Sequence, residues 1–564
     1  MLPWLSRRSL LLALCVATAA PAGAQLPRSF TGPRTAPEIT ATDLMTRLYI
    51  FADDSMMGRQ VGTIYNAKGT AYIEREVRAL GLIPAGDSGT YFQNLPFFSF
   101  HTDSLSSLVV GGQRLVLGTD YLPVVKDERR ISLDGVSAIY GGSSTDSSTW
   151  LTADEAAGRL VLVGVPQTTS SFPPLNRVLR TRLARSAAIL IASLDNISPR
   201  TRDGLGTTAS LVRDDTIAPP PPFVFITRRV ASLMFGTLER LTPRAEGKAL
   251  SGVLILHRSQ LPSRNVVAVL PGSDPVLRGQ YIAIGAHNDH IGFNEHPVDH
   301  DSLRATNRVL RPQGDDSPLA EKPSAQQSAA IRKTIDSLHR AHPARLDSIY
   351  NGADDDGSGS MSVLEIAEAF ATAGTYPKRS LLFVWHSGEE EGMWGSEFFT
   401  DHPSVPRDSI VAQINVDMIG RGDASDITGE SKTGALLRGR SGYLQLIGAR
   451  RQSSELGSML EAVNARGKPP LTFDYEMDAN GHPQNIYCRS DHYEYARYGI
   501  PIVFLTTGGH ADYHQVTDEP QYINYGHMTQ VAQFIHASVA ELANLDHRLV
   551  LDKPKPDPKG RCSQ

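Results

Sequence analysis

Histidine and carboxylate residues follow several apolar segments of this 564-residue sequence. The groups are His287 and Asp289 after 281–286, Glu389 and Glu390 after 380–385, Asp417 at the end of 411–417, and His510 and His514 after 501–505. Three adjacent aspartates, 354–356, precede a helical pattern at 362–373. Ligands of open α/β sheets bind beyond the carboxyl ends of the strands. The pattern therefore predicts that these side chains converge on one site.

The residue types indicate a transition-metal site. Imidazole mixed with carboxylate suits zinc or a similar ion, whereas an all-oxygen set would indicate calcium. The aspartate run does not fit an EF-hand loop, because Gly352 and Val363 would occupy positions that require acids. The sequence also contains no HExxH zinc helix and no GxSxG nucleophile elbow. Single-zinc peptidases of that kind and serine hydrolases therefore have no signature here.

The elements that carry these residues predict an α/β fold. The runs 281–286, 380–385, 411–417 and 501–505 are almost continuously apolar. Such runs are typical of strands covered on both faces, so we expect a mostly parallel sheet with helices on both faces. Helices are predicted at 41–51, at 68–80 with Gly81 as the C-terminal cap, and at 362–373.

Composition and predicted secondary structure change along the chain and divide it into segments. The region 106–257 has short strands and turns, including 158–166 and 222–227, and is predicted to be a separate β-rich domain. The predicted divisions are 1–24 signal peptide, 25–40 linker, 41–105 N-terminal part of the α/β domain, 106–257 β-rich domain, 258–548 main α/β domain and 549–564 disordered tail. Within the main domain, 292–346 is a polar insertion in which Ile331, Ile335 and Leu338 predict one short helix.

The first 25 residues have the layout of a secretory signal. Arg7 and Arg8 precede an apolar run, and Ala22-Gly23-Ala24 follows it, so we expect cleavage after Ala24 and a secreted or periplasmic protein. The apolar run is too short for a membrane anchor, and no later stretch is long and apolar enough to span a bilayer. A lipoprotein signal at Cys15 is disfavoured because bulky Leu14 precedes it.

Charge and cysteine content add two constraints. The formal net charge is −5, without the basic surplus that would indicate a nucleic-acid partner. Removal of the signal would leave Cys488 and Cys562. Two cysteines in an exported protein permit one disulfide, but two unrelated thiols are an equal alternative.

Five segments, in this order, resemble the motifs of metallopeptidase family 28, the co-catalytic di-zinc aminopeptidases. They are "GAHNDHIG", "NGADDDGSG", "EEEGMWGS", "INVDMIGR" and "YHQVTDE". The segments "DDSMMGRQVGT" and "GLIPAG" resemble the opening of bacterial members, and the β-rich region resembles the protease-associated (PA) domain that many members carry as an insertion. The resemblance covers about 40–105 and 264–545 and implies the zinc-aminopeptidase, phosphorylase/hydrolase-like fold.

The resemblance also implies a set of site residues. Two Zn²⁺ ions would be bound by His287, Asp355, Glu390, Asp417 and His514. His287 and Asp417 would hold one ion, Glu390 and His514 the other, and Asp355 would bridge them. Glu389 would be the general base, Asp289 would hold the second ring nitrogen of His287, and Tyr487 would hydrogen-bond the tetrahedral intermediate. A cis peptide between Asp355 and Asp356 is also implied.

Several of these residues have simpler interpretations. Tyr487 could be a packing residue. Asp354 and Asp356 are expected to cap the following helix or to bind backbone amides, as aspartates commonly do. Four other histidines are not expected to be ligands: His290 and His492, which would lie next to the site, and His386 and His510.

Peptides are the expected substrates. The leading hypothesis is an exported di-zinc exopeptidase, most simply an aminopeptidase. A glutamate-releasing carboxypeptidase shares the PA-plus-peptidase layout, but its relatives have a helical domain for which little sequence follows 548. A glutaminyl cyclase-like acyltransferase would use one zinc, which the pair His287 and Asp417 disfavours. A non-catalytic receptor on the same scaffold would have lost ligands, whereas all five ligand positions and Glu389 are present.

Overall fold

Two large β-sheets organise the computed structural model. It describes residues 26–564 except 125, 174, 213–219, 319–321 and 342. The predicted signal peptide at 1–24 lies outside the described residues. Among the helices that are described, none is both long and apolar enough to cross a membrane.

The first sheet has nine strands and a parallel centre. In spatial order its main strands are Ile83–Pro84, Arg264–Leu270, Ser380–His386, Tyr281–His287, Ile410–Val416, Ile502–Thr506, Tyr443–Ile447 and Thr472–Asp474, and Phe92–Asn94 also pairs with Arg264–Leu270. The four strands from Ser380–His386 to Ile502–Thr506 run parallel to one another. Antiparallel pairs flank this centre on both sides. The four apolar runs identified in the sequence are therefore the parallel strands that end at one edge.

Alternate side chains of these strands enter two hydrophobic clusters. Val266 and Ile284 belong to one cluster, whereas Val267 and Ala283 belong to the other. The first cluster includes residues of the helices Ala41–Phe51, Ile64–Ala79, Gly359–Thr372, Ser454–Arg466 and Tyr525–Asn544. The second includes Phe399 and Tyr495 of the shorter helices Trp394–Asp401 and His492–Ala496. The predicted α/β class with helices on both faces is confirmed, with a sheet that is mixed at its edges.

The predicted helices at 41–51 and 68–80 are observed as Ala41–Phe51 and Ile64–Ala79, and capping residues mark their ends. Thr40 and Thr63 accept hydrogen bonds from the first-turn amides of Ala41–Phe51 and Ile64–Ala79. Gly81, with φ of 74°, follows the second helix where the chain turns left-handed. The predicted helix at 362–373 is observed as Gly359–Thr372.

Within the described residues, the second sheet has eleven strands. They are Phe97–Thr102, Ser107–Val110, Gln113–Leu115, Tyr121–Val124, Arg129–Ser132, Val136–Ser143, Leu160–Gly164, Ala188–Ile191, Thr207–Leu211, Phe223–Ile226 and Glu246–Gln260. Its helices are Ala153–Ala156, Arg177–Leu183, Pro199–Gly206 and Arg228–Phe235. The sheet extends beyond the predicted boundaries of 106 and 257, because Phe97–Thr102 pairs with Glu246–Gln260 and with Thr207–Leu211. The PA assignment of this unit remains a prediction.

The insertion at 292–346 contains more structure than the one predicted helix. It has the helices His300–Leu310 and Ala325–Ala341 and the antiparallel strands Phe293–Asp299 and Leu346–Ile349, the last of which continues to 349. Three of the four buried residues of the first helix are polar: His300, Asp301 and Asn307. A helix that buries polar side chains lacks the apolar periodicity on which the prediction depended.

Residues 549–564, predicted to be disordered, lie against the main domain. A disulfide joins Cys488 to Cys562, so the pairing that the sequence left open is present. The backbone N–H of Gln564 donates to Asn485 Oδ1 over 2.9 Å. The composition of the tail, rich in Lys, Pro and Asp, gave no sign of these specific contacts.

Arg47 forms ion pairs that link three of the helices packed against the first sheet. Its guanidinium lies 2.7 Å from Glu365, 3.4 Å from Glu76 and within an ion pair with Glu368. The side chain of Glu365 is fully buried. Because a buried charge without its partner is costly, this arginine ties Ala41–Phe51 to Gly359–Thr372.

We expect Arg47→Met to lower the free energy of unfolding by about 3–5 kcal/mol, because it leaves the Glu365 carboxylate buried without a cation. Urea unfolding followed by circular dichroism measures the change. Arg75→Met is the matched control, since Arg75 also pairs with Glu76 but is exposed; its effect should stay below about 1 kcal/mol. Equal losses for the two variants would contradict the role assigned to Arg47.

Candidate metal centre

The carboxylate of Asp355 lies between two imidazoles. Its Oδ1 is 3.1 Å from His287 Nε2, and its Oδ2 is 3.1 Å from His514 Nε2. Asp355 lies in the turn Ala353–Ser358 before helix Gly359–Thr372, whereas His287 ends a parallel strand. The peptide between Asp355 and Asp356 is cis, as the family resemblance implies.

Two donor clusters share this carboxylate. In the first cluster, Asp417 Oδ1 is 3.6 Å from His287 Nε2. In the second, Glu390 Oε2 is 2.9 Å from His514 Nε2, and Glu390 Oε1 is 2.7 Å from His290 Nδ1. Within each cluster, one donor atom from every residue lies within 4.8 Å of the others: His287, Asp355 and Asp417 in the first, and His290, Asp355, Glu390 and His514 in the second. The structure brings all five predicted ligands together and adds His290.

The donor atoms fit a pair of cations. Asp417 Oδ1 and His514 Nε2 are buried and form no hydrogen bond with the part of the chain that the structure describes, although other site atoms lie close to them. Burial of unpaired polar atoms is costly, and it is relieved where such atoms coordinate a metal. Three carboxylates and three imidazoles with this mixture of N and O donors suit zinc. The residues present therefore fit the metal that the sequence predicted.

The site strongly favours positive charge. Burial opposes protonation of His514, yet Asp355 and Glu390 raise its pKa to about 11. Burial likewise opposes ionisation of Asp355, but the imidazoles of His287 and His514 hold its pKa well below the usual range. Protons and metal ions compete for such donors. The negative charge of the carboxylates can thus be neutralised either by protons or by metal ions.

The two neighbours of Asp355 bind backbone amides. Asp356 Oδ1 accepts from the N–H groups of Gly359 (2.9 Å) and Met418 (3.2 Å), and its Oδ2 accepts from His287 N–H (3.1 Å). Asp354 Oδ1 accepts from Gly420 N–H over 2.6 Å. The expected role of Asp354 and Asp356 is confirmed. Together they tie the aspartate turn to the ends of two parallel strands.

Further hydrogen bonds orient the candidate ligands. Asp518 Oδ2 accepts from the backbone N–H groups of Asp354 (2.9 Å) and Asp355 (3.2 Å). The Ser490 hydroxyl donates to Asp417 Oδ2 over 2.8 Å. Outer-shell contacts of this kind hold a ligand in the orientation that a metal requires.

Asp289 supports the site in a different way from the one expected. Its carboxylate Oδ1 accepts from the N–H groups of Gly388 (2.7 Å) and Glu389 (3.3 Å), and is 3.8 Å from His287 Nδ1. The backbone carbonyl of Asp289 lies closer to that ring nitrogen, at 3.2 Å. Burial raises the pKa of Asp289 to about 7. The carboxyl group therefore positions the Glu389 loop, while the main chain meets His287.

Tyr487 does not line the site cavity in the structure. Its ring packs against His492, Tyr493 and the guanidinium of Arg451, and only 5% of the residue is exposed. Its neighbour Ile486 lines the cavity instead. The packing interpretation therefore describes this residue, and its predicted contact with a reaction intermediate has no support in this geometry. A motif position alone could not reveal which way the side chain points.

Three other histidines lie outside the two donor clusters formed by the described residues. His386 lies 3.0 Å from the Tyr495 hydroxyl and 3.3 Å from Asp491, away from both donor clusters. His510 lies 3.2 Å from Asp354 Oδ2. His492 stacks on Phe504, and burial lowers its pKa to about 3.

Arg59 is a supporting residue that the sequence argument did not identify. It is fully buried and donates to the carbonyls of Phe51 (3.0 Å), Asn288 (3.2 Å), Asn351 (2.6 Å) and Gly352 (2.9 Å). It therefore joins the loops that carry His290 and the aspartate turn. Its presence in the quoted "DDSMMGRQVGT" segment was the available signal.

The insertion supplies part of the cavity wall. Glu389, Glu390, Asp355 and Asp417 open into one common cavity. Its other lining residues include Gln313 and Asp316 of the insertion, and Met418, Thr428, Gln445, Met477, Gln484, Ile486, Arg489, Phe504 and Tyr513. Arg489 makes two hydrogen bonds of 2.9 Å to the carboxylate of Asp316. This ion pair joins the insertion to the main domain beside the metal centre.

Fold and site together define a class: an α/β protein with a candidate two-metal centre at the carboxyl edge of a parallel sheet. Residues 265–539 match the family model described as "Peptidase family M28". Over these residues the match agrees with the motif resemblance.

Individual relatives match shorter stretches. "Leupeptin-inactivating enzyme 1" of Streptomyces exfoliatus is 41% identical over 80 residues, 14% of this chain and 18% of that protein. "Leucine aminopeptidase 1" of Coccidioides posadasii (strain C735) is 27% identical over 201 residues, 34% of this chain and 47% of that protein. Each match thus spans less than half of the relative's length. A solved structure, "Aminopeptidase from Aneurinibacillus sp. strain AM-1", is 15% identical with a TM-score of 0.44 and covers 92% of this chain and 97% of that one.

We expect Arg489→Ala to accelerate amide exchange at Asp315 up to about fivefold, because the lost ion pair loosens the turn Gly314–Asp316. The N–H of Asp315 donates to Tyr513 O over 3.2 Å and is the reporter. Hydrogen exchange read by mass spectrometry measures the effect. Arg438→Ala, a change at an exposed arginine outside this contact, should leave the exchange rate unchanged. Equal rates in the two variants would contradict the proposed anchoring of the insertion.

Proposed function

We propose that this protein is an exported di-zinc aminopeptidase that removes N-terminal residues from peptides. The observation that carries the proposal is the pair of donor clusters that share Asp355 and open into the same cavity as Glu389. The match of residues 265–539 to the M28 peptidase family model supports peptide hydrolysis. The proposal of export depends on the sequence of residues 1–24.

Two zinc ions per chain are the proposed cofactors. His287, Asp355 and Asp417 would hold one ion, and Asp355, Glu390 and His514 the other. The chemistry supplied by a bound zinc pair is Lewis-acid polarisation of a peptide carbonyl and of a water molecule. The N and O donors, and the convergence of Asp417 Oδ1 and His514 Nε2 with the other donor atoms of their clusters, support this choice.

Glu389 is the proposed general base. It directly precedes Glu390 in sequence, but of the two residues only Glu390 takes part in a donor cluster. Burial raises the pKa of Glu389 well above its ordinary value, as is typical of a carboxyl group that exchanges a proton during a reaction. In the proposed role its carboxylate takes a proton from water and later delivers it to the leaving amine. Asp289 would position this residue through the amide of Glu389.

An aminopeptidase is favoured over a carboxypeptidase by the names of similar proteins, several of which are leucine aminopeptidases. The cavity wall includes the apolar side chains of Met418, Met477, Ile486 and Phe504, which could receive an apolar N-terminal residue. The alternative of a non-catalytic receptor is disfavoured, because both donor clusters are intact. The second sheet is proposed to be the PA domain.

The substrate class is tested with matched peptides. We expect the zinc-loaded protein to release leucine from leucyl-p-nitroanilide and from free peptides, and not to cleave the same peptides after N-acetylation. Absorbance and mass spectrometry follow the two reactions. Cleavage of blocked peptides alone, or release from the carboxyl end, would overturn the aminopeptidase assignment.

The role of Glu389 is tested by Glu389→Gln. We expect kcat to fall by at least about 10²-fold, since a positioned general base typically contributes 10²–10⁴, while zinc content stays at the wild-type value. Glu391→Gln is the matched control, because Glu391 is an exposed neighbour in the same motif. Full activity of Glu389→Gln with zinc bound would exclude Glu389 as the base.

Metal stoichiometry is tested by elemental analysis after dialysis. We expect about two zinc ions per wild-type chain, as in co-catalytic two-metal sites, and a lower content in Asp355→Asn because that change removes the shared charge. Asp408→Asn, at an exposed aspartate, should keep the wild-type content. Failure of the wild-type protein to bind zinc even after addition would refute the proposed centre.

A further inference from the structure

One wall of the site cavity has little regular structure of its own. Residues 476–489 contain only the short 3₁₀ turns Glu476–Asp478 and Ile486–Cys488. Met477, Gln484, Ile486 and Arg489 of this segment line the cavity. Backbone polar groups in such a segment need partners from elsewhere, because no helix or sheet ladder supplies them.

Gln564 supplies several of these partners. Its side-chain amide donates to the carbonyls of Met477 (2.5 Å) and Ala479 (3.2 Å), and its Oε1 accepts from Tyr487 N–H over 3.0 Å. Its backbone carbonyl accepts from Gly481 N–H over 2.8 Å. Gln564 therefore hydrogen-bonds to the first half of this segment at Met477, Ala479 and Gly481 and to its second half at Tyr487.

The disulfide attaches the same stretch of chain to the wall. Cys562, two residues before Gln564, is bonded to Cys488, which directly precedes the cavity residue Arg489. The two cysteines are separated by 74 positions in sequence, so the link is tertiary. Neither Cys562 nor Gln564 lines the cavity.

We propose that the segment Cys562–Gln564 sets the position of the cavity wall at 476–489 and thereby the fit of bulky apolar N-terminal residues. This inference rests on the proposed aminopeptidase function. The segment acts through the wall: Gln564 fixes the main chain around Met477 and Tyr487, and the disulfide fixes the end of the wall at Cys488. Met477 and Ile486 then present their side chains to a substrate residue large enough to reach them. A small N-terminal residue makes fewer of these contacts.

The test compares Gln564→Ala and Cys562→Ser with the wild type, and Ser563→Ala serves as the matched control because Ser563 is exposed between the two. KM and kcat are measured for leucyl- and alanyl-p-nitroanilide. We expect KM for the leucyl substrate to rise roughly threefold to tenfold, which is less than the full free energy of the three lost Gln564 side-chain hydrogen bonds because the effect reaches the substrate only through the wall. KM for the alanyl substrate should change less, and kcat and zinc content should remain at wild-type values.

Amide hydrogen exchange is measured alongside the kinetics and reports directly on the main chain of the wall at 476–489. In Gln564→Ala the Tyr487 N–H loses its acceptor, so its amide exchange should accelerate relative to wild type and Ser563→Ala. Unchanged exchange and unchanged KM would overturn the inference. Equal loss of kcat for both substrates together with loss of zinc would also overturn it, since the segment would then support the metal centre. If the wild type cleaved neither substrate, the proposed function would fail, while the exchange comparison would still decide whether Gln564 holds the wall.

Discussion

Three adjacent buried carboxylates are the constraint on which this structure depends. Asp354, Asp355 and Asp356 repel one another and lose hydration on burial, so each needs its own compensating partners. The structure separates them: Asp354 and Asp356 accept hydrogen bonds from main-chain amides, and Asp355 faces the imidazoles of His287 and His514. The separation leaves one carboxylate available to two donor clusters.

The amides that satisfy these carboxylates come from the parallel strand edge. The N–H of His287 is at the end of one strand, and the N–H groups of Met418 and Gly420 lie just after the end of another. The same edge carries the candidate ligands, so the fold and the charge arrangement depend on one another. Arg59 adds a buried cation whose donors bind carbonyls of the adjoining loops. A large apolar sheet therefore holds a small, strongly polar site.

The sequence predicted the parts of the molecule that have a regular signal. Apolar runs indicated the parallel strands, and the spacing of Val363, Ile366 and Phe370 indicated the helix after the aspartates. The convergence of His287, Asp355, Glu390, Asp417 and His514 followed from motifs at strand ends. The direction of Tyr487, the structure of the insertion and the docking of Gln564 had no such signal. These features depend on individual tertiary contacts of polar residues, which leave no period in a sequence.

The shared position of Asp355 makes the two clusters energetically inseparable. A substitution at His287 changes the environment of Asp355 Oδ1, and a substitution at His514 changes that of Oδ2 on the same carboxylate. Residues that share a partner give non-additive mutational effects. Substitutions at His287 and His514 should therefore have combined effects that differ from the sum of their separate effects, because both act on the carboxylate of Asp355.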